Sequence, residues 1–407
     1  MLSTESAKTI TATLPAVRGA LGEITALFYE KLFTARPELL RDLFNRGNQA
    51  NGSQRQALAG SIAAFAGHLV AHPASRPDAM LARIAHKHAS LGVRADQYPI
   101  VREHLFAAIA EVLGDAVTDE VARAWDEVYW LMAHALIAVE KRLTAEAGVQ
   151  GGGGWRPYRV AGRVQETEEV ATFLLRPADG APVPPSRPGQ YVSVQVQLPD
   201  GARQIRQYSL SGQLDGGLQI SVKRVAAGHR AGEAYEDPAG EVSSHLHAHV
   251  HGGEILHVSP PFGEVVLSED GEGPLLFASA GIGCTPVIGM LSHLAAAGSR
   301  RRIITAHADR SPATHPFRTD LRRLTDKLSD ATAALWYEEE LGGGDGKGAV
   351  TVRAGLMDLT QLAIPAGTTA YLCGPVPFMK AAIAQLLASG LPAERIHYEV
   401  FGPDLGL

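Results

Sequence analysis

Cysteine is scarce in this chain: Cys284 and Cys373 are the only two in 407 residues. Two thiols do not make a disulfide framework. No run approaches the roughly 18 consecutive apolar residues that a membrane span requires. The opening MLSTESAKTI lacks a basic stretch followed by an apolar one, so no secretory signal is visible. Charge of one sign is missing too. A formal net charge of −6, spread over so long a chain, marks neither a nucleic-acid nor a membrane partner. What is present, 45% hydrophobic and 20% charged residues, suits a globular protein too long for a single core. The expectation is a cytoplasmic enzyme of two or three domains without integral membrane contact.

Glycine divides the chain. Residues 1–148 hold 9 of the 43 glycines, so that part is helix-permissive and the remainder is rich in turns. Between them runs Gly148-Val149-Gln150-Gly151-Gly152-Gly153-Gly154, which flexes rather than folds. In 16–34, Val17, Leu21, Ile24, Leu27, Phe28, Leu32 and Phe33 recur at helical spacing, ending near Pro37. Further helices are expected over 54–71, 78–90, 96–113 and 118–146, giving an all-α segment. Over 155–265, six alternating runs (YRVAGRV, ATFLLRP, GQYVSVQV, QIRQYSLS, GLQISVKRV and EILHVSPP) predict an antiparallel β-barrel. From 268 onward, PLLFASA, RIITAHA, ALWYEEE, TTAYLCG and IHYEVF alternate with helices at 286–297, 316–328 and 377–389. That is the doubly wound α/β pattern. AAGHRAGEAYEDPA, at 226–239, and GGGDGKG, at 342–348, are expected to be exposed loops.

Gly281-Ile282-Gly283-Cys284-Thr285-Pro286 follows a strand and opens a helix. Glycines admit a pyrophosphate close to the backbone, and the helix start offers free N–H groups. Arg206-Gln207-Tyr208-Ser209 offers a cation for a phosphate, an aromatic face for a flavin ring and a hydroxyl for its N5, on one strand whose alternate residues share a face. Pro188-Gly189-Gln190-Tyr191 precedes it. Val222-Lys223-Arg224 follows, then Gly240-Glu241-Val242-Ser243, Cys373-Gly374-Pro375 and Glu399-Val400-Phe401-Gly402-Pro403. In this order the set resembles the ferredoxin–NADP reductase superfamily over roughly 155–407. The resemblance implies FAD held by Gln190, Tyr191, Arg206, Gln207, Tyr208, Ser209, Lys223, Gly240, Val242, Ser243, Glu399 and Phe401. It implies NADH or NADPH held by Gly281, Ile282, Gly283, Cys284, Thr285, Pro286, Cys373, Gly374 and Pro375. Ser186 stands where relatives often carry a tyrosine, and Cys284 replaces a common glutamine, with an expected effect on nucleotide affinity. The alternating His245, His247, His249 and His251 fit a solvated helix better than a metal site, because only i,i+4 pairs share a face.

His88, in the helical RIAHKHASLG, would by itself suit a surface or core histidine better than a ligand. Its neighbours in the chain change that reading. EITALFYEKLFTARPELLRDLFNRGN, ANGSQRQALAGSIAAFA, RADQYPIVREHL and AWDEVYWLMAHALIAVEKRL are similar to the globin helices of flavohaemoglobins, and the reductase follows in that family's order. The resemblance implies a globin (haem) domain over 1–147, a linker over 148–154, an FAD-binding barrel over 155–266 and an NAD(P)H-binding domain over 267–407. It implies haem b with His88 as proximal ligand, and Phe44, Leu58 and Phe28 in the haem pocket. Tyr29 becomes the hydrogen-bond donor to dioxygen, Gln54 its companion, and Tyr98 and Glu140 the partners of the proximal imidazole.

The implied activity is nitric oxide dioxygenase, with hydride passing from NAD(P)H to FAD, single electrons from FAD to haem iron, and nitric oxide converted with dioxygen to nitrate. The alternatives are a haem peroxide or lipid-hydroperoxide reductase, and an oxygen or NO sensor with a resetting reductase. O2 and NO are then the partners of a monomer that needs no protein partner and no nucleic acid. Asp309 would repel a 2′-phosphate that Arg310 and Ser311 could hold, so NADH is expected with tolerance for NADPH.

Overall fold

Ser3 starts the fold. Its side chain accepts a hydrogen bond from the Ser6 N–H, and its own N–H and hydroxyl both donate to the Glu127 carboxylate at 2.7 and 2.9 Å. The helix α1 (Thr4–Ala35) therefore begins a dozen residues before the apolar pattern alone suggests, and it runs through Pro15. A stripe of Ile10, Leu14, Val17, Ile24, Phe28 and Leu32 keeps it seated despite the lost hydrogen bond. The computed structural model describes residues 2–50, 52–149, 154–229, 236–268, 271–339 and 348–402. Most of the expected linker, the middle of the 226–239 segment, nearly all of the 342–348 glycine run and Pro403 lie outside the described residues. Two units form: one takes the chain up to Trp155 together with Gln195–Arg206, the other Arg156–Val194 and Gln207–Gly402.

In the first unit follow α2 (Pro37–Asp42), α3 (Arg46–Ala50), α4 (Ser53–Ala71), α5 (Asp78–Leu91), α6 (Tyr98–Leu113) and α7 (Asp119–Glu146). α1 packs on α4, α6 and α7, and α5 packs on α7. Thr118 caps α7, whose acidic first turn suits the helix dipole. α5 stops at Gly92, in the left-handed conformation (φ +74°), which lets the Val93 N–H return to the His88 carbonyl at 3.0 Å.

Next come the strands β1 (Arg156–Gln165), β2 (Val170–Pro177), β3 (Tyr191–Gln197), β4 (Arg203–Leu214) and β5 (Gly217–Lys223). A small ribbon of β6 (Gly228–His229) and β7 (Glu236–Asp237), the helix α8 (Glu241–His249) and β8 (Ile255–Val258) follow. The six long strands close into a barrel, β1-β2-β5-β4-β3-β8, matching the six alternating runs. The described ends of the 226–239 segment pair with each other rather than forming a plain loop.

The remainder is β9 (Leu275–Ala280), α9 (Cys284–Ala296), β10 (Ile303–Asp309), α10 (Arg318–Lys327), β11 (Ala331–Tyr337), β12 (Val350–Ala354), β13 (Thr369–Cys373), α11 (Val376–Ala388) and β14 (Ile396–Glu399). The sheet runs β12-β11-β10-β9-β13-β14, and its pairings are parallel. Leu275 and Phe277 enter one core with α9 and α10, while Leu276 and Ala278 enter another with α11. Both faces are covered, which is why these strands read as unbroken apolar runs. β12 escapes that pattern: VTVRA is short, half-exposed and polar on alternate positions, so the expectation of five strands falls one short.

Gly189, with φ +104°, turns the chain into β3 where an added Cβ would lie 2.3 Å from the Val265 carbonyl oxygen and 2.6 Å from Met290 Cε. Gly189→Ala is expected to lose about 2–4 kcal/mol of stability through strain and overlap. An unchanged urea midpoint for this variant would contradict that account.

Candidate functional site

Glu140 shares the buried stripe of α7 with Leu136 and Leu143 and is only 5% exposed. A carboxylate in such a position needs partners. The last turn of α5 and the first residue of α6 supply them. His88 Nδ1 lies 2.8 Å from Glu140 Oε1, and the Tyr98 hydroxyl donates to the same oxygen at 2.5 Å. Tyr98 Oη is also 3.0 Å from His88 Nδ1. Burial, then the Glu140 charge, pushes the Tyr98 phenol far above its ordinary range, so it remains a donor. Tyr129 donates to the Tyr98 carbonyl at 2.6 Å and steadies the start of α6. With Nδ1 committed, Nε2 is the His88 nitrogen available to a metal, and the carboxylate behind the ring is the usual partner of a ligating imidazole.

A second cluster is aromatic. Tyr29, 5% exposed, stacks on Phe33 at 5.5 Å and meets Phe44 edge-on at 5.9 Å; Phe28 lies 4.7 Å from Tyr29. Phe33 was absent from the expected pocket, although its i,i+4 spacing from Tyr29 signals the contact. Gln54 and Leu58 lie half-buried on α4, which packs on α1. Gln54 Oε1 is buried and has no hydrogen-bond partner. A histidine with one nitrogen free, an aromatic cluster and an orphaned amide oxygen fit an iron porphyrin that takes a polar ligand.

In the barrel, the Leu210 N–H donates to the Gln190 carbonyl at 2.9 Å, which joins the PGQY turn to the RQYS strand. Alternation puts Arg206 and Tyr208 on one face of β4; Ser209 falls on the other and is buried, so the three groups do not share a single face. Gln207 donates to Ser193, and Tyr191 exchanges backbone hydrogen bonds with Phe262. Lys223 pairs with Glu169 at 3.4 Å. Gly240 caps α8; Ser243 donates to its carbonyl and accepts from the Val225 N–H, and a Cβ on Gly240 would stand 2.7 Å from the Ser243 hydroxyl. Val242 is buried beside them.

The chain leaves β9 for β10 on one side while β13 lies on the other, so the crevice at the carboxyl ends of β9 and β13 is the topological switch point. Gly281, Ile282 and Gly283 make a 3₁₀ turn there, and α9 follows from Cys284. A Cβ on Gly283 would lie 2.3 Å from the Cys373 carbonyl oxygen, and one on Gly374 would lie 2.7 Å from the Phe378 ring. Two segments ninety residues apart thus meet backbone to backbone, leaving a bare cradle at a helix start. A shallow pocket alongside is lined by Gly189, Pro286, Met290, Tyr371, Cys373 and Glu399. Met290 and Tyr371 were not foreseen there. Thr285 is buried and donates to the Ile282 carbonyl. Cys284 is buried in the core with its thiol toward the Pro316 carbonyl, so only its backbone remains for a nucleotide, contrary to the expectation that its side chain adjusts affinity. Phe401 is 46% exposed.

Behind this crevice, His307 and His315 stack with ring centres 4.0 Å apart. His307 Nδ1 meets the Ser279 hydroxyl at 2.9 Å, and His315 Nδ1 meets the Tyr337 hydroxyl at 2.8 Å. Asp309 accepts from the Thr314 hydroxyl and the Arg310 N–H. No group of three or more His, Cys, Asp or Glu suited to a metal occurs among the described residues.

Comparison with known proteins places these clusters in context. A globin family model matches residues 26–136, and an oxidoreductase NAD-binding domain model matches 277–383. A flavohemoprotein of Bordetella parapertussis is 41% identical over 99% of this chain and 99% of its own. One of Chromobacterium violaceum is 41% identical over 100% of both chains. The chain belongs to the flavohaemoprotein family. In structure it is similar to the flavohemoglobin of Malassezia yamatoensis, described with bound FAD and heme, with a TM-score of 0.87 and 36% identity over 98% of this chain and 100% of that one. The FAD/NAD-binding domain of a Vibrio cholerae nitric oxide dioxygenase matches with a TM-score of 0.54 and 35% identity, covering 61% of this chain and 99% of its own. The architecture is an all-α globin fold, an antiparallel FAD-type barrel and a doubly wound NAD(P)-type domain, and the chain is an NAD(P)H oxidoreductase of this family.

Burial holds His315 well below the ordinary imidazole value, and His247 and His245 shift the same way. These groups take up protons less readily in the folded chain than in the unfolded one, where an imidazole titrates at about pH 6.5. Stability is therefore expected to fall between pH 7.5 and 5.5, a window above the titration of most carboxylates. His315→Asn should flatten the thermal midpoint against pH; an unchanged slope would show that His315 does not contribute.

Proposed function

We propose that the chain is an NAD(P)H-dependent nitric oxide dioxygenase holding one haem b and one FAD, and that it acts as a cytoplasmic monomer on O2 and NO. The observation that carries this reading is the triad of half-buried His88 with buried Glu140 and Tyr98. When bound, haem and flavin supply single-electron transfer, oxygen chemistry and hydride acceptance. His88 Nε2 would hold the haem iron. Glu140, taking the Nδ1 proton in a hydrogen bond, gives the imidazole imidazolate character and makes it a stronger donor, which favours oxygen activation over reversible carriage. Tyr98 shares the carboxylate and keeps its charge in place.

Tyr29 would offer its phenol to the dioxygen substrate, with Gln54 as its polar companion and Phe28, Phe44 and Leu58 excluding water. Arg206 would meet the flavin phosphate charge and Tyr208 would cover the ring, with the Ser209 hydroxyl offered from the opposite face of β4. Gln190, Tyr191, Gln207, Lys223, Gly240, Val242 and Ser243 shape the rest of that site, and Glu399 and Phe401 close it. Residues 281–286 with Cys373, Gly374 and Pro375 cradle the pyrophosphate at the start of α9. In this reading the haem domain spans 1–147, a linker 148–154, the FAD domain 155–266 and the nucleotide domain 267–407. A Vibrio cholerae relative named as a nitric oxide dioxygenase agrees with it.

NADH is the favoured nucleotide. Arg310, the cation placed to read a 2′-phosphate, is engaged by Glu169 at 3.1 Å, and the Ser311 N–H is turned inward to Thr314. A lower KM for NADH than for NADPH is expected, and equal values would remove this assignment.

Under air with NADH, nitrate should form in proportion to the NO consumed. Turnover of peroxide without nitrate would instead establish a peroxide reductase. His88→Ala should lose the Soret band while the flavin absorption stays; normal haem in that variant would mean another ligand.

A further inference from the structure

Gln204, in the first unit, is 0% exposed, and its amide is shared between two helices. Nε2 donates toward the carbonyls of Leu40 at 3.4 Å, Arg41 at 3.1 Å and Phe44 at 3.2 Å. Oε1 accepts the Arg46 N–H and one Arg206 Nη1 proton, each at 3.3 Å. The carbonyls of Leu40 and Arg41 are among the last of α2, which have no partner within the helix, and the Arg46 N–H is the first of α3. One side chain thus closes the end of one helix and the start of the next, with Phe44 between them. Every hydrogen-bonding atom of the amide is used.

Charged contacts frame this clasp. Arg203 donates to Asp42 from its N–H and its guanidinium, and Arg46 pairs with Asp200 at 2.6 Å. Hydrogen bonds from Arg41 and Arg203 hold the Asp42 carboxyl well below its usual range. The exposed ion pairs add little individually. The buried amide is the part that cannot be replaced by water without opening the corner.

The geometry points to Gln204 as a positioning residue for electron delivery: it holds the Phe44 corner of the haem pocket and the flavin-motif Arg206 in one hydrogen-bonded body. This rests on the haem and flavin assignments above. It adds a residue that touches neither cofactor and acts through Phe44 and Arg206.

The full-length protein carrying Gln204→Leu tests it, with Gln204→Met in its place should the leucine variant not accumulate. Hydrogen exchange at the Leu43 and Phe44 amides, which both donate to the Leu39 carbonyl at 2.9 Å, should speed up at least ten-fold while α5 and α7 are unchanged. NADH-driven haem reduction under carbon monoxide should slow at least five-fold. NADH-driven ferricyanide reduction, which draws on the flavin alone, should stay within two-fold. Arg203→Met, which removes only the framing ion pair, should keep parental haem reduction within two-fold. Parental exchange at residues 43–44, or equal slowing of both reductions, would overturn the proposal. Absence of a Soret band from the parent protein would sink the functional reading instead, while the exchange experiment would still report on the clasp.

Discussion

The buried charge of Glu140 is the constraint that organises the helical unit. A carboxylate placed between Leu136 and Leu143 is tolerable only if donors converge on it, and leaving such a charge unpaired would cost about 3–5 kcal/mol. The donors come from two other helices, which settles how the last turn of α5 and the first turn of α6 meet α7. Gly92 ends α5 just past His88, so the imidazole sits on a stopped, well-held turn rather than in the middle of a sliding helix. Hydrogen-bond geometry and packing are here one requirement. The group that pairs with the histidine is also the group that orders its surroundings.

In the second unit the corresponding constraint is the absence of side chains. Gly283 against Cys373, Gly189 against Val265 and Gly289 against Leu210 are approaches of 2.3–2.5 Å for any added Cβ. The first presses the start of α9 against the end of β13, the second the turn before β3 against Val265, and the third the middle of α9 against β4. The cradle that results is made of backbone, so it is indifferent to many side-chain changes and intolerant of any at the glycines.

Much of this was legible in the chain. Six alternating runs correspond to the six barrel strands, and the strand–glycine–helix order placed the crevice at the end of β9. Those signals are local and periodic. What stayed hidden is non-local or unperiodic. Ser3 extends α1 because a carboxylate 124 residues away completes its cap. β12 is an edge strand with little apolar content. Cys284 looked like a nucleotide contact because of its neighbours, yet the helix turns its side chain inward. His88, Tyr98 and Glu140 were found by likeness to a family. No spacing rule joins positions 88, 98 and 140; only the packing of three helices does.

Both cysteines lie in the crevice motifs, and both thiols are sealed from solvent, 4% and 2% exposed. Burial drives each far from ionisation at neutral pH. Thiolates, not thiols, are what nitrosating agents and peroxides attack. A chain that met such agents with exposed thiolates would be modified there first. With its sulfur chemistry silenced by packing, this chain offers no S-nitrosation or sulfenylation target at either cysteine while the fold is intact. Local opening of the α9–β13 contact would be the event that first makes the enzyme vulnerable to the compounds around it.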